Sequence, residues 1–182
     1  MSKAFGLVAL VALSLLTCLG GCASTSGAAG DSGGQPAAAT AGAQKNVVFF
    51  KTTVDKPNAT YGDGYRFAYI LMKYRMGDDA GAKLALGADQ CKDELIKAGV
   101  MSNGWAEDSN ELLTHETAAY LLAKAMNIKG GALFALTGTT RYAHREMVDR
   151  GLLPRSNPRQ YITGAQLTSA FRDSKAYMES KQ

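Results

Sequence analysis

The 182-residue sequence predicts a mainly α-helical fold: a small domain of helix-loop-helix units with one short N-terminal strand. Three observations predict it. Apolar residues recur near every 3.6 positions over five segments. Capping residues and glycines stand where those segments begin and end. A unit with a period of about fifty residues repeats along the chain.

Residues 46–51, NVVFFK, are β-branched and aromatic and read as the strand. The helices follow. Phe67, Ile70, Leu71 and Tyr74 stripe the segment 63–76. Ala88, Cys91, Leu95 and Ala98 stripe 87–98, and Ala118, Leu121, Leu122 and Ala125 stripe 114–127. Ala143 and Met147, with Leu152 beyond them, indicate 139–150; Leu167, Ala170, Phe171 and Met178 indicate 163–179. Thr163 and Gln166 form a capping box, in which each side chain satisfies a backbone donor of the other residue. Thr114 suits the third helix as its cap, Glu116 favours the positive end of that dipole, and Asp63 is the expected cap of the first. Gly99 and Gly151 fall where a left-handed residue ends a helix without a Cβ penalty.

CKDELIKAGVM (91–101) aligns with AHREMVDRGLL (143–153), and LTHETAAYLLAKAM (113–126) with ITGAQLTSAFRDSKAYM (162–178). AYILMK (68–73) aligns with AYLLAK (119–124). One unit is a helix, Gly, two apolar residues, a polar loop, a Thr cap and a second helix. This unit resembles the S-layer homology module, in which a Thr-Arg-Ala-Glu motif opens the second helix; the likeness covers most of 60–178. The motif positions read Thr114-His115-Glu116-Thr117 and Thr163-Gly164-Ala165-Gln166. Thr is kept twice, whereas His115 and Gly164 replace the Arg, and Thr117 and Gln166 replace the Glu. The resemblance implies the helical fold and noncovalent binding of cell-wall polymer, with the loss of Arg setting this chain apart.

The amino terminus has its own organisation. Lys3 precedes an apolar run, FGLVALVALSLL (5–16), too short for the roughly 20 residues that span a bilayer. The ending Leu19-Gly20-Gly21-Cys22 resembles the lipobox of bacterial lipoprotein precursors. That resemblance implies a signal peptide over 1–21, cleavage before Cys22, and a diacylglyceryl group on its sulfur as membrane anchor. Ala23 after the cysteine then points to the outer membrane of a cell with two membranes, on its periplasmic or surface side. Residues 23–44 hold no Leu, Ile, Val, Met or aromatic and a single charge, Asp31. With so little apolar area to bury, 22–44 reads as a lipidated Cys followed by a flexible linker, spanning on the order of 25 Å. The folded domain is then 45–182.

Composition narrows the function. The net charge is +4, and removing Lys3 with the signal leaves one less. That excess suits attraction to an anionic wall polymer or lipid and is too small to indicate nucleic acid. Cys91 is the one cysteine of the folded part, so no disulfide forms within it. On the apolar stripe it reads as a small core residue. His115 and His144 match no metal or acid–base motif; exposed or capping roles are expected of both. Gly62-Asp63-Gly64 lacks the length and the Lys of a phosphate loop and reads as a turn with a cap. Trp105, in a polar loop, either stacks on a sugar ring or folds back between two helices. Residues 141–159 carry Arg141, Arg145, Arg150, Arg155 and Arg159 against Glu146 and Asp149. Arg forks suit phosphate and carboxylate, so Arg141, Arg145, Arg155 and Arg159, with Trp105, are the candidate ligand-binding residues.

The expectation is a lipid-anchored cell-envelope module, not an enzyme and without cofactor or metal, that binds an anionic cell-wall polymer or glycan. The alternative is an accessory lipoprotein docking on another envelope protein. A fatty-acid probe is expected to label the wild-type chain in growing cells, and Cys22→Ser to lose both label and membrane retention. Unlabelled wild-type protein with Cys22→Ser still processed and membrane-bound would refute the anchor.

Overall fold

A computed structural model describes residues 37–78, 86–105, 107–129, 134 and 137–181. The expected signal peptide over 1–21, the expected lipidation of Cys22 and the expected linker up to residue 36 lie outside the described residues. Within the compact unit Gln35–Gln182 the described residues form six α-helices and no strand. They are α1 (Ala37–Val54), α2 (Tyr61–Arg75), α3 (Ala88–Lys97), α4 (His115–Ala125), α5 (Thr140–Asp149) and α6 (Gly164–Glu179). A 3-10 turn, Asn103–Trp105, lies between α3 and α4. None of these helices is long and apolar enough to cross a membrane.

The chain is mainly helical, and α2 to α6 occupy the five striped segments. One expected element differs. Residues 46–51 are not a strand but part of α1, which begins inside the stretch expected to be linker. The reason is tertiary. Phe49 and Thr53 are buried and Phe50 is half-buried, while Val47, Val48 and Val54 face out, a helical spacing hidden among β-formers. Phe49 and Phe50 pack on Phe67 of α2 at 5.1 and 5.4 Å between ring centroids, and Phe50 packs on Phe171 of α6 at 5.3 Å. With no strand among the described residues to complete a ladder, this aromatic burial overrides β-propensity.

The repeat is threefold. Two helices make each unit, α1–α2, α3–α4 and α5–α6, and the second helix of each is capped by Thr60, Thr114 or Thr163. Thr60, not Asp63, caps α2; Asp63 is its reciprocal partner three residues on. The residues just before the caps are fully buried and close a ring of backbone hydrogen bonds. Ala59 N–H donates to the Ile162 carbonyl (2.8 Å), Ile162 N–H to Leu113 (2.9 Å) and Leu113 N–H to Ala59 (2.9 Å). The first free N–H groups of each capped helix find carbonyls in a loop of another unit. Tyr61 and Gly62 donate to Glu111 and Ser109, His115 and Glu116 to Gln160 and Pro158, and Gly164 to Lys56. Helix packing follows the same symmetry, with α2 on α3, α4 on α5 and α6 on α1.

The far ends of α2 to α5 also repeat. Gly77, Gly99, Asn127 and Gly151 have φ between 56° and 73°. The next residue's N–H reaches back five positions, as in Val100 to Leu95 and Leu152 to Met147, which satisfies carbonyls left open at the helix end. Cys91 is buried against this framework and its thiol is pushed up to about 12 by desolvation, so it remains protonated and packs as an apolar residue.

Gly164 sits at the closest of these contacts. A Cβ there would lie 1.7 Å from the Thr53 carbonyl oxygen and 2.8 Å from its carbon. Gly164→Ala is expected to destabilise the fold by about 3 kcal/mol, at the upper end of overpacking costs, measured by denaturant unfolding. Gly104→Ala, in open space, is the matched control, and equal stabilities for the two variants would contradict the close approach.

Candidate functional site

The loop 154–160 enters α6 with two prolines and two arginines. Its conformation is fixed from both sides. The carbonyls of Pro158 and Gln160 accept from the start of α4, and Asn157 Oδ1 accepts the Arg159 N–H at 3.1 Å. The loop thereby lies beside the N-terminal half of α5, where Arg141 and Arg145 stand one turn apart, about 6 Å along the axis. Two adjoining hollows result. One is lined by Glu116, Arg141, Asn157, Pro158 and Arg159. The other is lined by Arg141, Tyr142, His144, Arg145 and Pro158.

Of the sequence candidates, the fold gathers Arg141, Arg145 and Arg159 around Pro158. Arg155 is exposed in the same loop and lines neither hollow. The side chain of Trp105 lies outside the described residues; its backbone ends the 3-10 turn. Arg150 points to the other end of α5, where it pairs with Glu146 at 2.6 Å. Arg145 is 3.8 Å from Asp149, with both side chains exposed, a geometry that contributes little and leaves the guanidinium free to exchange partners.

Electrostatics favour an anion here. The N-terminal ends of α4 and α5 both adjoin the hollows, and each carries about half a positive charge. Glu116 is the carboxylate of the lining and offsets part of the positive charge of Arg141 and Arg159. Among the described residues no group of three or more His, Cys, Asp or Glu converges as a metal site.

The two histidines correct an expectation. His115 is 1 % exposed and His144 6 % exposed, rather than on the surface. His115 is pinned beneath the 154–160 loop by its own backbone bond to Gln160, and α5 packs over it. The rings meet edge to face with centroids 6.1 Å apart. His144 Nε2 lies 3.4 Å from Ser156 Oγ, and His115 Nδ1 has no hydrogen-bond partner among the described residues. Desolvation holds both rings below their ordinary pKa; the nearby His144 lowers His115 further, while Glu116 partly offsets the effect on His144. Glu116, Tyr142, His144, Asn157 and Pro158 are the lining residues that sequence reasoning missed as site residues. The Pro-bounded loop beside a repeat boundary was the signal that could have found them.

No protein-family model matches this chain, and neither a curated protein nor a solved structure matches it.

The histidine pair sets a pH dependence. Burial favours the neutral form of both rings in the fold, so the unfolded chain binds more protons once pH falls below about 6.5, and stability drops from there until the folded-state pKa values are passed. The loss approaches ~1.4 kcal/mol per pH unit for each histidine at its steepest. Melting is expected to be several degrees lower at pH 5.5 than at 7.5, with the difference reduced in His144→Gln. A midpoint that does not move between these pH values would contradict the buried neutral pair.

Proposed function

We propose that this chain is a lipid-anchored module of the cell envelope that holds an anionic wall polymer or glycan. The observation that carries the reading is the convergence of Arg141, Arg145 and Arg159 on two adjoining hollows that share Arg141 and Pro158. Guanidinium forks bind phosphate and carboxylate bidentately, and neighbouring hollows suit successive anionic groups of one polymer. Binding needs no chemical step, and the chain acts as a grip rather than an enzyme.

The resemblance to S-layer homology modules fits this placement once the motif positions are compared with the fold. The motif's Arg position is Gly164 in one unit, where a Cβ would strike the Thr53 carbonyl. In another it is His115, which is buried. A basic group at those positions could not reach a ligand here without moving the backbone, so the anion-binding role passes to α5 and its following loop. Cys22 supplies the membrane attachment.

Docking on another envelope protein has one observation in its favour: Val47 and Val48 are 66 % and 61 % exposed on adjacent positions of α1. In-cell crosslinking from α1 distinguishes the two, since docking gives one dominant protein adduct.

Purified wall material is expected to retain the wild-type chain and to lose it with rising salt. Arg141→Gln/Arg145→Gln/Arg159→Gln is expected to weaken retention at least about tenfold, the equivalent of ~1.4 kcal/mol, with the fold intact by circular dichroism. Unchanged retention would remove the arginine hollows from the function.

A further inference from the structure

A second basic surface lies at the opposite end of α5, independent of the function proposed above. Arg141 and Arg150 are nine residues apart, about 13 Å along the helix axis. Around Arg150 the ends of four helices meet. Arg75 is the last residue of α2, Lys129 follows α4, Arg150 caps α5 and Lys181 follows α6. Their side chains line one groove together with Tyr177 and Met178.

The groove is more than a set of solvated charges. Tyr177 and Met178 give it an apolar wall, and Met126 and Ile128 extend that wall. Arg150 donates to the Tyr177 hydroxyl and is held by Glu146, so its position is fixed. Lys181 lies over the Tyr177 ring, 5.8 Å from its centroid. Among the described residues no carboxylate is within ion-pairing distance of Arg75, Lys129 or Lys181.

Part of this charge has a local use. Cations at helix C-termini offset the negative end of the dipole, equivalent to about half a charge per helix. Four helix ends and Glu146 together still leave the groove net positive. A cationic mouth beside an apolar wall matches an amphiphile that carries a phosphate next to its hydrocarbon portion.

We propose that this groove is a second anion site, taking the phosphodiester headgroup of an anionic lipid. Arg75 and Arg150 offer guanidinium donors to the phosphate oxygens, Lys129 and Lys181 close over them, and Tyr177 and Met178 receive the glycerol and first methylenes.

The chain from residue 22 to 182 carrying Cys22→Ser, which has neither the apolar run 5–16 nor an acyl group, tests this against three probes. These are vesicles of phosphatidylcholine with and without about one-third phosphatidylglycerol, soluble dihexanoyl-phosphatidylglycerol, and inorganic phosphate. Cosedimentation is expected to be at least tenfold stronger with the anionic vesicles, and the short-chain lipid to bind more tightly than inorganic phosphate. Arg75→Gln/Lys129→Gln/Lys181→Gln is expected to abolish both preferences, whereas Arg141→Gln/Arg145→Gln/Arg159→Gln keeps them. Equal binding to neutral and anionic vesicles would overturn the proposal. So would an undiminished preference in the groove variant, or inorganic phosphate binding as tightly as the lipid. Loss of the preference only in the Arg141 variant would assign the lipid to the other end of α5 and overturn it equally.

Discussion

Three backbone hydrogen bonds in a closed ring hold this fold together. They join Ala59, Leu113 and Ile162, residues that recur at intervals of about fifty along the sequence and are fully buried. Burying a backbone donor or acceptor without a partner costs about 1–3 kcal/mol. The ring lets each of these extended residues enter the core with its polar groups satisfied. Each is followed at once by a Thr cap, so the ring also fixes where α2, α4 and α6 begin and which way they leave the centre.

The next shell of interactions repeats the arrangement. Helix starts expose N–H groups that no residue of their own helix can reach, and here carbonyls from a loop of another unit reach them. Close approach is required for this. At Gly62 a Cβ would lie 2.9 Å from the Ser109 carbonyl that its own N–H binds, and at Gly164 it would meet Thr53. Unit one adds an ion pair: Lys56 Nζ lies 2.8 Å from both oxygens of buried Asp63, which also accepts the Thr60 N–H. The Lys56 carbonyl binds Gly164. One residue therefore ties the cap of α2 to the start of α6.

The arginine hollows are a consequence of this framework. The loop that supplies carbonyls to α4 is the loop that carries Arg159, and its closure over α4 places His115 and His144 together in the interior. The same contacts thus hold the loop, bury the histidines and bring three guanidiniums to one edge. A change in protonation at the pair acts on the loop's footing as well as on overall stability.

The sequence by itself determined the helical class, the bounds of α2 to α6, the Thr114 and Thr163 caps, the glycine ends and the apolar role of Cys91. All of these depend on signals within four or five residues of each other, because caps, helical periodicity and left-handed ends are local. Only the tertiary structure decided that 46–51 is helical, that Thr60 opens a third unit, and that His115 is buried. It also separated Arg159, which joins the hollows, from Arg155, which does not. Each of these depends on contacts between segments that are not neighbours in sequence: phenylalanines meeting from three helices, a ring of backbone bonds, and a loop closing on another unit's helix. No spacing rule within one segment encodes such a meeting, since burial is a property of the partner as much as of the residue.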